Sequence, residues 1–141
     1  MSDNRKITEH EIIPKTIPVF EMFGCDFVYL GGSVASGTNG WWSDIDFFVH
    51  AIHLDSEDKS SSFNWREKIE IALVKELHTD DIHVNILVDL PLNVQFSLIS
   101  NGKVIYEKDD GTIRLDYIEH MLPKYYDFIT WYSRMINEWV Y

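Results

Sequence analysis

Two apolar periods alternate along this chain, and the switches between them mark its elements. An unbroken apolar run, Phe27-Val28-Tyr29-Leu30, predicts a strand over residues 26–30. Asp44-Ile45-Asp46-Phe47-Phe48-Val49 then follows a period of two, which sets Asp44 and Asp46 on one face and Ile45, Phe47 and Val49 toward a core. Between Asn64 and Leu77 the period lengthens to that of a helix. Trp65, Ile69, Ala72, Leu73 and Leu77 share one stripe, and Asn64 is placed to cap the first turn. Period two returns from Asp81 to Leu90, with Val84, Ile86, Val88 and Leu90 on one face and His83, Asn85, Leu87 and Asp89 on the other, until Pro91 breaks the strand.

The two ends read as helical. Residues 8–23 carry enough apolar positions for a helix ended by Gly24, but Pro14 and Pro18 predict two short pieces, or one helix beginning near Pro14 with a distortion. From Thr112 onward the pattern is helical with a break at Pro123, between Arg114–Leu122 and Lys124–Val140. Tyr125, Phe128, Tyr132, Met135, Ile136 and Trp139 make an inward stripe there; Tyr126, Trp131 and Tyr141 lie off it. Such extra aromatic surface suits either a partner interface or a broad core-facing helix.

Composition narrows the class. A chain of 141 residues with 45% hydrophobic and 25% charged content suits one globular domain spanning residues 1–141. Its 12 Lys+Arg against 23 Asp+Glu, a net charge of −11, argue against nucleic acid as partner, because backbone binding needs a basic patch to release counterions. The single cysteine, Cys25, excludes an internal disulfide and fits a cytoplasmic location as inert packing. No apolar run reaches a membrane span, and the polar N-terminus does not resemble a signal peptide. Asp55 to Ser62 reads as a solvated loop. None of the six histidines shows metal-ligand spacing, so all read as structural or surface residues.

The chemistry concentrates between Tyr29 and His50. The first strand stops at Gly31-Gly32-Ser33, where missing side chains let backbone N–H groups and one hydroxyl approach a ligand oxygen. Ten residues separate Ser33 from Asp44. A helical turn over residues 33–37 would add its N-terminal amides to anion binding. An anion-binding turn beside two same-face carboxylates points to Mg²⁺-nucleotide chemistry, since the cation prefers carboxylate oxygens and paired metals hold attacking and leaving oxygens in line. The alternative is a hairpin whose polar connection merely happens to hold glycines and two Asp. Trp41 and Trp42 could stack on a base, although adjacent tryptophans more often cover the end of a core.

The Gly-Ser pair, the ten-residue spacing and Ser43-Asp44-Ile45-Asp46 resemble the signature of the DNA polymerase β-type nucleotidyltransferase superfamily, in its minimal nucleotidyltransferase branch. The resemblance implies an α/β (α+β) fold: a small mixed β-sheet packed by helices, the polymerase β-like palm. It spans about residues 10–107, followed by C-terminal helices over about residues 112–141. It also implies a short helix from Leu92 to Ser100, a turn at Asn101-Gly102 and a strand at Val104-Ile105-Tyr106. By resemblance Gly32 and Ser33 bind the triphosphate of ATP or another nucleotide, and Asp44 and Asp46 bind Mg²⁺ in a two-metal site and are catalytic. Members usually carry a third carboxylate early in the next strand, as metal ligand and base; here that position falls on Asn85. An amide offers a carbonyl but takes no proton. Asp89, on the same face roughly 13 Å along a strand, is the fallback. An Arg frequent in the family is Ser36 here, which removes one cationic phosphate contact.

Three functions follow. The first is AMP transfer from Mg²⁺-ATP to a protein acceptor, as in minimal nucleotidyltransferases encoded beside HEPN toxins, where the nucleotidyltransferase is the antitoxin. The second is a binding-only antitoxin or scaffold, with catalysis weakened at Asn85. The third is a small-molecule nucleotidyltransferase acting on a cation such as an aminoglycoside, whose capture the negative charge would favour; no second substrate domain is evident. A homo-oligomer is compatible with each.

Overall fold

The computed structural model describes residues 9–31, 44–52 and 59–140. Among these, four helices and four strands run in the order α1 (Glu9–Met22), β1 (Phe27–Gly31), β2 (Ile45–His50), α2 (Lys59–Leu77), β3 (Ile82–Ile86), α3 (Leu92–Asn101), β4 (Lys103–Glu107) and α4 (Thr112–Val140). The strands form one mixed sheet of order β3-β2-β1-β4. β1 pairs antiparallel with both β2 and β4, whereas β2 and β3 run parallel, as a connection through a whole helix allows. The expected mixed sheet packed by helices is therefore the fold observed.

Period two in the strands divides the core between the faces. Val28, Leu30, Ile45, Phe47, Val49, Ile82 and Val84 are buried with Ile12, Val19 and Phe20 of α1 and Ile69, Leu73 and Leu77 of α2. Phe27 and Tyr29 point the other way and pack with Leu87 and Leu98, joined by Phe48, Tyr117 and their neighbours from α3 and α4. Two side chains tie this second layer: Tyr117 Oη donates to Gln95 Oε1 at 2.5 Å, and Gln95 Nε2 donates to the Leu90 backbone carbonyl at 2.7 Å.

Four boundaries differ from expectation. α1 is one helix through both prolines. Pro14 and Pro18 are exposed while Ile12 and Thr16 are fully buried, so the carbonyls that lose a partner lie toward solvent. α2 begins at Lys59, which takes Lys59 to Ser62 out of the expected loop and removes Asn64 from a capping position; Ser62 is buried. α4 likewise continues through Pro123, again exposed. Finally, β3 ends at Ile86 and a 3-10 turn, Leu87–Asp89, follows. That turn buries Leu87 completely in the second layer and leaves Val88 40% exposed, so the distance along a strand from Asn85 to Asp89 no longer applies.

β3 is an edge strand, and its backbone is partly occupied. The Val84 N–H donates to Glu70 Oε2 at 3.2 Å and Arg66 Nη1 donates to the Val84 carbonyl at 3.3 Å, both from α2. Such side-chain cover is one way an open edge is managed.

Candidate active site

Both aspartates sit at one end of the hairpin. Asp44 immediately precedes β2 and is exposed; Asp46 is its second residue, half-buried, on the face opposite Ile45 and Phe47. The register sets Gly31 beside Asp46 on one side and His83 beside it on the other. Gly31 is the last residue of β1, so the phosphate-loop candidates Gly32 and Ser33 follow directly; they lie outside the described residues, as do Ser36, Trp41 and Trp42. A side chain at Gly31 would have to push the Phe48 ring aside. A Cβ there would lie 2.6 Å from Phe48 Cε2 and 3.2 Å from Leu98 Cδ1.

Asp46 feels its surroundings. Burial raises the Asp46 pKa above its ordinary value of 3.8, the nearby Asp44 raises it further, and His83 pulls it back down. His83 Nε2 is 3.4 Å from Asp44 Oδ2, with the two side chains 58% and 53% exposed. Reading metal-ligand spacing along the chain misses His83, because its neighbours are brought to it by the parallel register. Its alternation onto the Asn85 face was the available signal.

Asn85 lies one pleat further along β3, beside Phe48 rather than beside Asp46. It lines a cavity of ≈ 390 Å³ at the sheet edge together with Asp89, Arg66 and Phe63. The 3-10 turn thus brings both candidates for the third ligand to one cavity, and Asp89 reaches it from outside the strand. A second cavity, ≈ 480 Å³, opens next to Gly31 and is bounded by Phe48, Val94, Ser97 and Leu98.

At the opposite end of the hairpin a buried pair is structural. Asp26 Oδ2 lies 3.2 Å from His50 Nδ1 and accepts the Ile52 N–H at 2.6 Å, while the His50 ring stacks on Phe27 at 4.6 Å. Asp26 and His50 fasten the ends of β1 and β2 that lie opposite Asp44 and Asp46.

Among the described residues no three His, Cys, Asp or Glu side chains are gathered to hold a metal ion unaided. Two carboxylates are nevertheless a fitting donor set for Mg²⁺ that arrives with phosphates, because that ion is held by one or two carboxylates plus substrate oxygens and water.

The sequence model described as "Polymerase beta, Nucleotidyltransferase" matches residues 15–111, which include all four strands and both aspartates. The chain belongs to the polymerase beta nucleotidyltransferase family. Solved structures agree on the fold. A chain of a toxin-antitoxin crystallised with AMP-PNP superposes with a TM-score of 0.67 at 20% identity, over 96% of this chain and 100% of that one. A chain of the tri-AMPylated Shewanella oneidensis HEPN toxin in complex with MNT antitoxin gives 0.66 at 18% identity, again over 96% and 100%. For the toxin-antitoxin MntA-HepT the values are 0.61 and 17%, over 95% and 100%. These neighbours fall in the branch that the Gly-Ser and Asp-x-Asp spacing resembles. None of the curated proteins matches the chain. No helix among the described residues is long and apolar enough to cross a membrane.

Proposed function

We propose that this nucleotidyltransferase transfers AMP from Mg²⁺-bound ATP to a protein acceptor, and that it serves as the antitoxin of a HEPN-type toxin. The observation that carries the reading is the placement of Asp44 and Asp46 at the open end of β2, with Gly31 as strand neighbour and the Gly32-Ser33 pair next in sequence. Asp44 and Asp46 would hold the cation. When bound, it neutralises phosphate charge and polarises the oxygens to which it binds. The backbone at Gly32 and the Ser33 hydroxyl grip the triphosphate, and the cavity beside Gly31 has room for the rest of the nucleotide. Charge supports a protein acceptor: a chain of net charge −11 repels nucleic acid. The toxin-antitoxin neighbours, one solved with AMP-PNP and one with an AMPylated toxin, support the nucleotide and the partner.

Calorimetry with Mg²⁺-ATP tests the site. Asp44→Ala with Asp46→Ala should abolish measurable binding while the far-UV circular dichroism stays unchanged, since neither side chain is in the core. Equal affinity in the two proteins would sink the assignment.

Asn85 favours a second reading, in which binding is kept and turnover is slow. A positioned base is worth about 10²–10⁴-fold in rate, and an amide cannot act as one. Asn85→Asp should therefore raise transfer of labelled AMP to the partner protein, by up to that factor. If Asp89 holds the third position instead, Asn85→Asp changes little and Asp89→Asn removes activity. A fast wild-type rate, insensitive to both substitutions, rules out both placements.

A further inference from the structure

From Leu122 to Glu138 no residue of α4 is buried, and the helix still carries 58% exposed Trp131 and 56% exposed Tyr126. Charge is arranged differently here from elsewhere. Residues 124–141 contain Lys124 and Arg134 against Asp127 and Glu138, a net charge of zero, so the −11 of the chain resides entirely in the rest. At about 100° per residue, Lys124, Asp127, Trp131, Arg134 and Glu138 fall within an arc of about 80°, one stripe of the helix. All five are exposed.

The order along that stripe is positive, negative, Trp, positive, negative, and it is nearly symmetric about Trp131. Lys124 lies seven residues before Trp131 and Glu138 seven after; Asp127 lies four before and Arg134 three after. Reversing the direction of the stripe therefore exchanges each charge for its opposite. We propose that this stripe is the contact surface for a second copy of the chain, with two α4 helices packed antiparallel about a two-fold axis near Trp131. Lys124 then faces Glu138 of the second copy and Asp127 faces its Arg134, each pair occurring twice, as an isologous contact requires. The one-residue mismatch in the inner pair is a 1.5 Å axial offset, within the reach of an Arg side chain. Phe128, 6.4 Å from Trp131 between ring centroids, and Met135 border the stripe and supply its apolar flank.

A bland account would have the charges paired within their own helix, Lys124 with Asp127 and Arg134 with Glu138. Among the described residues neither ion pair forms, although Arg66–Glu70 does so on α2 at comparable spacing. A different protein would need no such reversal symmetry, which is why the stripe points to another copy.

Sedimentation equilibrium of the full chain at about 1 to 200 µM and 0.15 M salt tests this; at that ionic strength the Debye length of about 8 Å screens the acidic bodies from each other. Wild type should dimerise within that range. Asp127→Arg should weaken the dimer by about tenfold, because two attractive pairs become repulsive, and so should Arg134→Asp. Asp127→Arg combined with Arg134→Asp restores complementarity and should restore the wild-type constant. Circular dichroism checks that each variant stays helical. A wild type that is monomeric throughout, or a charge swap that fails to rescue, would overturn the proposal and leave the stripe to a different partner. Nucleotide binding enters none of these readouts.

Discussion

Alternate residues of the same four strands build two faces that differ in kind. Under α1 and α2 the sheet contributes aliphatic and aromatic side chains to the main core, where Leu30, Phe47 and Val49 are completely buried with Ile69 of α2. Under α3 and α4 it presents Phe27, Tyr29 and the buried His50 toward one end and Asp46 with His83 at the other, while Gln95 of α3 supplies a polar tie to Tyr117. The second layer stops short, and the carboxylates occupy the strip it leaves. One face holds the strands together, and the other spends part of its area on groups that folding alone would not choose. The difference is set residue by residue, because in β2 Phe47 and Asp46 are neighbours with opposite fates.

Breaking each face should cost different things. Phe47→Ala, on the packed face, removes a fully buried ring that meets Phe20 edge-on at 5.6 Å. A loss of ~3–5 kcal/mol in urea unfolding is expected. Gly31→Ala, on the other face, forces the Phe48 ring aside from a 2.6 Å overlap. About 1–3 kcal/mol should be lost, together with Mg²⁺-ATP affinity, since Asp46 is the strand neighbour. If Gly31→Ala proves neutral in both assays, Phe48 has room to swing and the two faces are less distinct than described.

The smallest effect sharpens the comparison most, through its sign. Because the Asp46 pKa is raised by burial first, the native state keeps that proton to higher pH than the unfolded chain does. The favourable contribution is complete below the ordinary value of 3.8 and is lost as pH rises through the raised value, so at pH 7 the ionised carboxylate opposes folding. Asp46→Asn should then raise the melting temperature at pH 7, by no more than about 4 °C, and the gain should vanish near pH 3. A lower melting temperature at pH 7 would mean that Asp46 stabilises the fold as an anion, and that the chemical face is not bought with stability.

Much of this was legible in the chain. Ile45, Phe47 and Val49 alternate with Asp44, Asp46 and Phe48 without interruption, so the inward face of β2 could be read directly. Helix starts were harder. Lys59-Ser60-Ser61-Ser62 has no apolar period, and its helical state comes with the burial of Ser62, a tertiary effect that local pattern does not carry. Leu87 continues the alternation of β3 but belongs to the second layer, which draws the chain into a 3-10 turn. Both internal prolines of α1 stand on its solvent side, a fact that depends on where the sheet lies. At the site, the Asp-x-Asp pair was visible in its spacing, whereas the approach of His83 to Asp44 required knowing that β3 runs parallel to β2.

The cover on Val84 bears on how copies of this chain can meet. With Glu70 and Arg66 occupying its N–H and carbonyl, an incoming strand finds no free ladder at the middle of β3 and would have to displace two side chains to begin one. Growth by strand addition, which repeats without limit and ends in fibres, is thereby hindered at that edge. Contact through helices about a two-fold axis stops at two, so a sequence that hinders strand addition at the β3 edge favours there a kind of assembly that is self-terminating.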